Sequence, residues 1–132
     1  MSYKLEQHGN QRIIVGVVGA DFDLRVDTEP YLHEIQVMLD RMDGPTVYIS
    51  DLRGFELNFG DLTALMSVVT RGDTAVLKHP NLRNIILVAS SNMIKLGVSA
   101  LGQTQYGGLH ASVVPTLEEA LAAAEEDLTP TA

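Results

Sequence analysis

The side chains that could do chemistry are scattered, and their spacing excludes most of the chemistry they suggest. Asp21, Asp23 and Asp27 look at first like calcium ligands. A calcium loop of that kind needs oxygen ligands at alternate positions, a glycine at the sixth and a glutamate at the twelfth. Counted from Asp21, those positions are Val26 and Leu32, so a solvated acidic loop is expected. His8, His33, His79 and His110 never fall at a two-histidine helical spacing, so they are expected as separate surface or half-buried side chains rather than metal ligands. Ser99 lies between Gly97 and Gly102, but a nucleophile elbow needs a glycine two residues to each side, on a strand-to-helix turn. Here the serine falls inside a predicted helix, and no serine hydrolase is expected. Arg71-Gly72-Asp73 reads as a helix break. The stretch YISDLRGFELNFGDL, residues 48–62, carries Gly54 and Gly60. A phosphate cradle needs close glycines and often a lysine, whereas bulky residues separate these two and no lysine follows. Asp51 and Arg53 are therefore expected to be exposed or locally paired. With no spacing that implies convergent titratable groups, the chain is expected to be no enzyme, with no metal and no cofactor.

The elements that position these residues follow from periodicity and punctuation. Tyr3 to His8 and Gln11 to Val18 flank Gly9-Asn10, which predicts a tight hairpin turn. The run RIIVGVV is continuously apolar, as in a strand covered on both faces. Thr28 is the expected cap of the next helix, with Pro30 in its first turn. Tyr31, Leu32, Ile35, Met38, Leu39 and Met42 recur on one face of it, and Gly44-Pro45 stops it. Thr46 to Ser50 is a short strand. A helix starting at Gly60-Asp61 carries Leu62, Leu65, Met66 and Val69 on one face. Arg83 to Ala89 is another buried strand. Ser90, Ser91 and Asn92 suit a helix cap before Met93, Ile94, Val98 and Leu101. Leu109 to Val114 is a last strand. Thr116 and Glu119 have capping-box spacing before the final helix. The order ββαβαβαβα predicts an α/β domain with a mixed, mostly parallel sheet of about five strands, an antiparallel N-terminal hairpin and about four helices.

The 132 residues have the size of one domain, expected over 1–127 with a fraying tail at 128–132. Hydrophobic content of 45% and charged content of 20% are close to globular averages. A formal charge of −8 disfavours nucleic acid and anionic membranes, since both would repel it. The absence of cysteine excludes disulfides and thiolate chemistry and suits a reducing cytoplasm. The start, MSYKLEQHGNQR, has no apolar run of a signal peptide, and no window approaches the length of a membrane-spanning helix. A cytoplasmic protein is expected.

One apolar group remains. Leu57, Phe59, Met66, Met93, Ile94, Val98 and Tyr106 come from segments that follow two neighbouring strands, where open sheets form crevices. A small apolar ligand could sit there, with Ser90 or Ser91 supplying a hydroxyl. The plainer reading is that these residues are core.

The order of elements, with VYISDLRG, HPNLRNIILVASSN and VVPTLEEALAAA, resembles the STAS superfamily over Tyr3 to about Asp127. The likeness is to its stand-alone bacterial branch, the anti-sigma-factor-antagonist-like proteins related to lipid-transfer (CRAL-TRIO) domains. That resemblance implies a non-enzymatic domain that binds an as yet unidentified partner protein, as a homodimer in the favoured reading, or alternatively a carrier or sensor of a small lipid-like ligand. Phospho-regulated members carry an Asp-Ser-Ser-Gly-like motif at the helix start after the third strand. The matching positions here are Phe59, Gly60 and Asp61, which offer no hydroxyl. The resemblance therefore implies a switch position without a phosphate acceptor, where Asp61 supplies a fixed negative charge.

Overall fold

A computed structural model describes residues 2–55, 58, 60–61, 79–90, 92, 95 and 111–128. Five strands form one sheet in the order β1-β2-β3-β4-β5: Tyr3–Gln7, Ile13–Val18, Thr46–Asp51, Leu82–Val88 and Ala111–Val114. β1 is antiparallel to β2, and every later pair is parallel. Two complete helices are described, α1 (Thr28–Asp40) and α2 (Leu117–Leu128). The mixed sheet and its N-terminal hairpin are as expected. Of the two other expected helices, only Gly60, Asp61, Asn92 and Lys95 are described, and all four are helical.

The sheet has two apolar faces because its inner strands are apolar at consecutive positions. In β2 and β3 alternate side chains point to opposite sides, and all six residues of β3 are buried. On one side Ile14, Val18 and Tyr48 pack with Tyr31, Ile35 and Leu39 of α1. On the other, Ile13, Val15, Val47, Ile49, Ile86 and Val88 pack with Ala120 and Ala124 of α2. Small residues on α2 let it lie close to a surface of β-branched side chains.

Several boundaries differ from expectation, each through a local hydrogen bond. The hairpin is wider than a two-residue turn. The His8 amide donates to the Ile13 carbonyl at 2.8 Å, leaving residues 9–12 in the loop, with Gly9 at φ +58. Gln11 and Arg12 therefore precede β2. Thr28 is the first helical residue rather than the cap, which is Asp27. The Thr28 hydroxyl donates back to the Leu24 carbonyl at 2.7 Å, which ties it to the turn before the helix. The acidic connection is a self-bonded turn. The Asp23 amide donates to Asp27 Oδ2 at 2.9 Å, and the Arg25 amide donates to Asp23 Oδ1 at 2.9 Å. At α2 the expected cap is present, with the Glu119 amide donating to Thr116 Oγ1 at 3.1 Å.

Asn81 ties α1 to the sheet from a distance in sequence. Its side-chain amide donates to the carbonyls of Leu39 (3.0 Å) and Met42 (3.2 Å), while its own carbonyl accepts from the Thr46 amide at 2.6 Å. The side chain thus supplies donors that the end of a helix lacks. Asn81→Ala removes two half-buried hydrogen bonds, with an expected loss of about 1–2 kcal/mol in urea unfolding.

Candidate functional site at the strand ends

β3 ends in two residues that face opposite sides of the sheet. Asp51 lies on the α2 side and is 5% exposed. Its carboxylate accepts from Arg53 three times, from Nε at 2.9 Å, the second guanidinium nitrogen at 2.7 Å and the backbone amide at 3.1 Å. These charge-assisted bonds hold its pKa below the ordinary carboxylate value despite burial. The Arg53 guanidinium is half exposed. The expected local pairing is therefore present, with the acid inside and the base at the surface. The turn that follows is closed by the Phe55 amide on the Leu52 carbonyl, and the Leu52 amide extends the ladder to the Val88 carbonyl.

Ser50 lies on the α1 side, 4% exposed. Its Oγ is 3.4 Å from the Tyr31 hydroxyl, which also hydrogen-bonds the Tyr48 hydroxyl. These three hydroxyls form a buried polar cluster within an aromatic chain. The Tyr31 ring touches Tyr3, Phe22 and Tyr48, and Phe22 continues to Phe55 in the turn. The chain thus links the β1 edge to the strand-end turn. Space for the Tyr31 hydroxyl comes from Gly16, which lies beside Ser50 in the register.

Burial raises the pKa of both the Tyr31 and Tyr48 phenols, and for Tyr48 the nearby Tyr31 adds to the rise. A raised phenol favours the folded state fully below its unfolded pKa, and that contribution is lost as pH rises through the folded value. The melting temperature should therefore fall once pH passes about 10, and fall less in Tyr48→Phe.

The next helix starts on a capping box. The Asp61 amide donates to Asn58 Oδ1 at 2.7 Å, and the Asn58 amide donates to Asp61 Oδ2 at 3.2 Å. Asn58 is therefore the cap, two residues before the expected start at Gly60, and Asp61, three residues on, closes the box. The Asp61 carboxylate at the switch position serves this local bond. Asn58→Ala should lower stability by about 1 kcal/mol, read as a shift in the urea midpoint at constant slope.

Of the expected site residues, Ser90 is exposed just beyond β4, and Gly60 and Asp61 lie at the helix start. Leu57, Phe59, Met66, Ser91, Met93, Ile94, Val98 and Tyr106 lie outside the described residues, as do Arg71-Gly72-Asp73, Ser99 and His110. The apolar group is therefore not brought together by any described contact. His79 Nε2 meets Asp40 Oδ1 at 2.6 Å, while its Nδ1 accepts from the Asn81 amide at 3.0 Å. The accepting Nδ1 carries no proton, so Nε2 is the donor to Asp40. Among the described residues, no three histidine, aspartate or glutamate side chains could hold one metal ion, and no helix is long and apolar enough to cross a membrane. The hydroxyl cluster and its glycine were not anticipated. Their signal was a glycine inside an apolar strand, which marks a close approach.

No protein-family model and no curated protein matches the chain. Among solved structures, an anti-sigma factor antagonist from Mycobacterium paratuberculosis superposes with a TM-score of 0.52 at 18% identity. The overlap covers 94% of this chain and 95% of that one. The likeness is one of fold over nearly the whole of both chains. It is the architecture that the STAS resemblance implies.

Proposed function

We infer that the chain is a non-catalytic regulatory domain of the cytoplasm that acts by binding another protein. The observation that carries this reading is the near-complete overlap of fold with an anti-sigma factor antagonist. The chemistry of the strand ends supports it. Asp51 is engaged by Arg53, and Asp61 by Asn58, so both carboxylates have a structural role in the turn. An anti-sigma factor is the class of partner that the likeness suggests, and contact through the turn after β3 would be permanent. Phe59, Gly60 and Asp61 offer no hydroxyl for phosphorylation.

Native mass spectrometry of the purified chain, alone and mixed with each anti-sigma factor of its source cell, tests this. The expected result is a complex with one of them, no retained small molecule, and no added phosphate at residues 59–61 after incubation with ATP. Asp61→Asn should weaken the complex, because it removes the charge while leaving an acceptor for the Asn58 amide. Absence of any complex overturns the reading. A reproducible small ligand released on denaturation would put the apolar-ligand carrier in its place, and Phe59, Met66 and Met93 would be the residues to change.

A further inference from the structure

Among the described residues, β1 is an edge strand, bonded to β2 on one side only. Its register fixes which backbone groups face outward. The Gly19 amide donates to the Ser2 carbonyl, and the His8 amide to the Ile13 carbonyl, both at 2.8 Å. In an antiparallel pair such bonded positions alternate with unbonded ones. Lys4 and Glu6 therefore also bond to β2, and the amides and carbonyls of Tyr3, Leu5 and Gln7 point away from the sheet.

Edge strands commonly carry charged side chains, which block pairing because a partner would leave them unmatched. The charges of β1 have a different property. Lys4 and Glu6 flank Leu5 symmetrically, lie on the same side of the sheet, and are both well exposed, with Nζ and Oε2 4.0 Å apart. If a second β1 runs antiparallel about a twofold axis at Leu5, Lys4 of each copy faces Glu6 of the other. Tyr3 then faces Gln7, and Leu5 faces its own counterpart. These odd-numbered positions are the ones with free outward backbone groups, so each pair can exchange two hydrogen bonds. A shift of two residues either way sets Lys4 against Lys4 or Glu6 against Glu6. The charge pattern thus permits one register and penalises its neighbours.

We propose that β1 is a self-pairing edge, joining two copies of the chain antiparallel about Leu5 into one continuous sheet. The twofold makes the interface isologous, with the same strand on both sides. Leu5 and Tyr3, half-buried against the α1 face, would be covered further, Leu5 by its counterpart and Tyr3 by Gln7 of the second copy. This specifies one partner within the protein-interaction reading, and it is independent of which other protein the turn after β3 binds.

Sedimentation velocity over a concentration series tests it with three variants at exposed positions. Lys4→Glu alone and Glu6→Lys alone each set like charges face to face at both ends of the interface. Each should weaken the dimer about tenfold or more. The double variant Lys4→Glu/Glu6→Lys restores opposite charges and should recover dimerisation. A mixture of the two single variants should form heterodimers in preference to either homodimer. A wild-type chain that stays monomeric at its highest soluble concentration overturns the proposal. So does a dimer indifferent to the single reversals. Neither outcome touches the complex with an anti-sigma factor, which can be measured on the Lys4→Glu variant.

Discussion

Gly16→Ala is expected to be among the most destabilising single-methyl additions in this chain, costing about 1–3 kcal/mol or somewhat more. A methyl there would overlap the Tyr31 hydroxyl and lie 2.9 Å from Leu5 Cδ2 and 3.1 Å from Tyr31 Cζ. Neither neighbour yields easily. Tyr31 is 6% exposed, held by the Tyr48 and Ser50 hydroxyls and by rings on three sides. Leu5 is anchored by the β1 ladder. The cause can be isolated with Tyr31→Phe, which removes the oxygen at the point of overlap. Alone, that change leaves the buried Tyr48 hydroxyl without its Tyr31 partner and should cost about 1 kcal/mol or more. Combined with Gly16→Ala, it should cost less than the two single changes together, a coupling in the range of 0.5–3 kcal/mol for side chains in contact. Strictly additive losses in urea unfolding would mean that the Tyr31 hydroxyl does not occupy the space over Gly16. Because Leu5 lies at the centre of the proposed self-pairing edge, Gly16→Ala should also weaken the dimer, whereas Tyr31→Phe should leave it largely intact.

What the sequence reveals of this fold is what depends on local repetition. Continuous apolar runs with turn residues between them mark β2, β3 and β4 to within a residue or two. The spacing of Tyr31, Ile35 and Leu39 marks the buried face of α1. Thr116 and Glu119 announce the start of α2 because a capping box is confined to four residues. The failures share a cause, namely hydrogen bonds that compete with the motif read. Thr28 has the chemistry of a cap, but the Leu24 carbonyl takes its hydroxyl. Asn58 and Asp61 also have capping-box spacing, yet Gly60-Asp61 is the more conspicuous helix signal. The hydroxyl cluster was harder still. Tyr31, Tyr48 and Ser50 lie on two elements, and only the sheet register and the approach of α1 bring them to Gly16. The same holds for Asn81, whose partners Leu39 and Met42 lie far back in the chain. The overlooked clue was Gly16 itself, since an apolar strand has no local reason to contain a glycine.

At the strand-end turn, the sign of the pH dependence should reverse when Arg53 is removed. In the wild type the Asp51 pKa is depressed, chiefly by its hydrogen bonds to Arg53. A depressed carboxylate stabilises the folded state above its unfolded pKa of about 3.9, and that contribution is lost as pH falls through the folded value. In Arg53→Ala the carboxylate stays buried but keeps only the bond from the residue 53 amide. Burial then dominates and raises its pKa. The variant should therefore be less stable than the wild type at pH 7 and recover part of the difference as pH falls toward 4, where Asp51 takes up a proton. Asp51→Ala deletes the buried charge and leaves a half-exposed guanidinium that water can solvate. It should cost about 1–3 kcal/mol at pH 7 for the lost charge-assisted bonds, with no matching recovery in acid. Urea titrations of the three proteins between pH 7 and pH 3.5 distinguish these cases by the slope of stability against pH. If Arg53→Ala tracks the wild type at every pH, the ion pair does not hold the turn. The partner assay then carries a further consequence. The Arg53 guanidinium projects from the turn proposed to meet another protein, so a loss of binding in Arg53→Ala that persists at pH values where its stability has recovered would assign the side chain to the interface, whereas binding that recovers with stability would assign it to the turn alone.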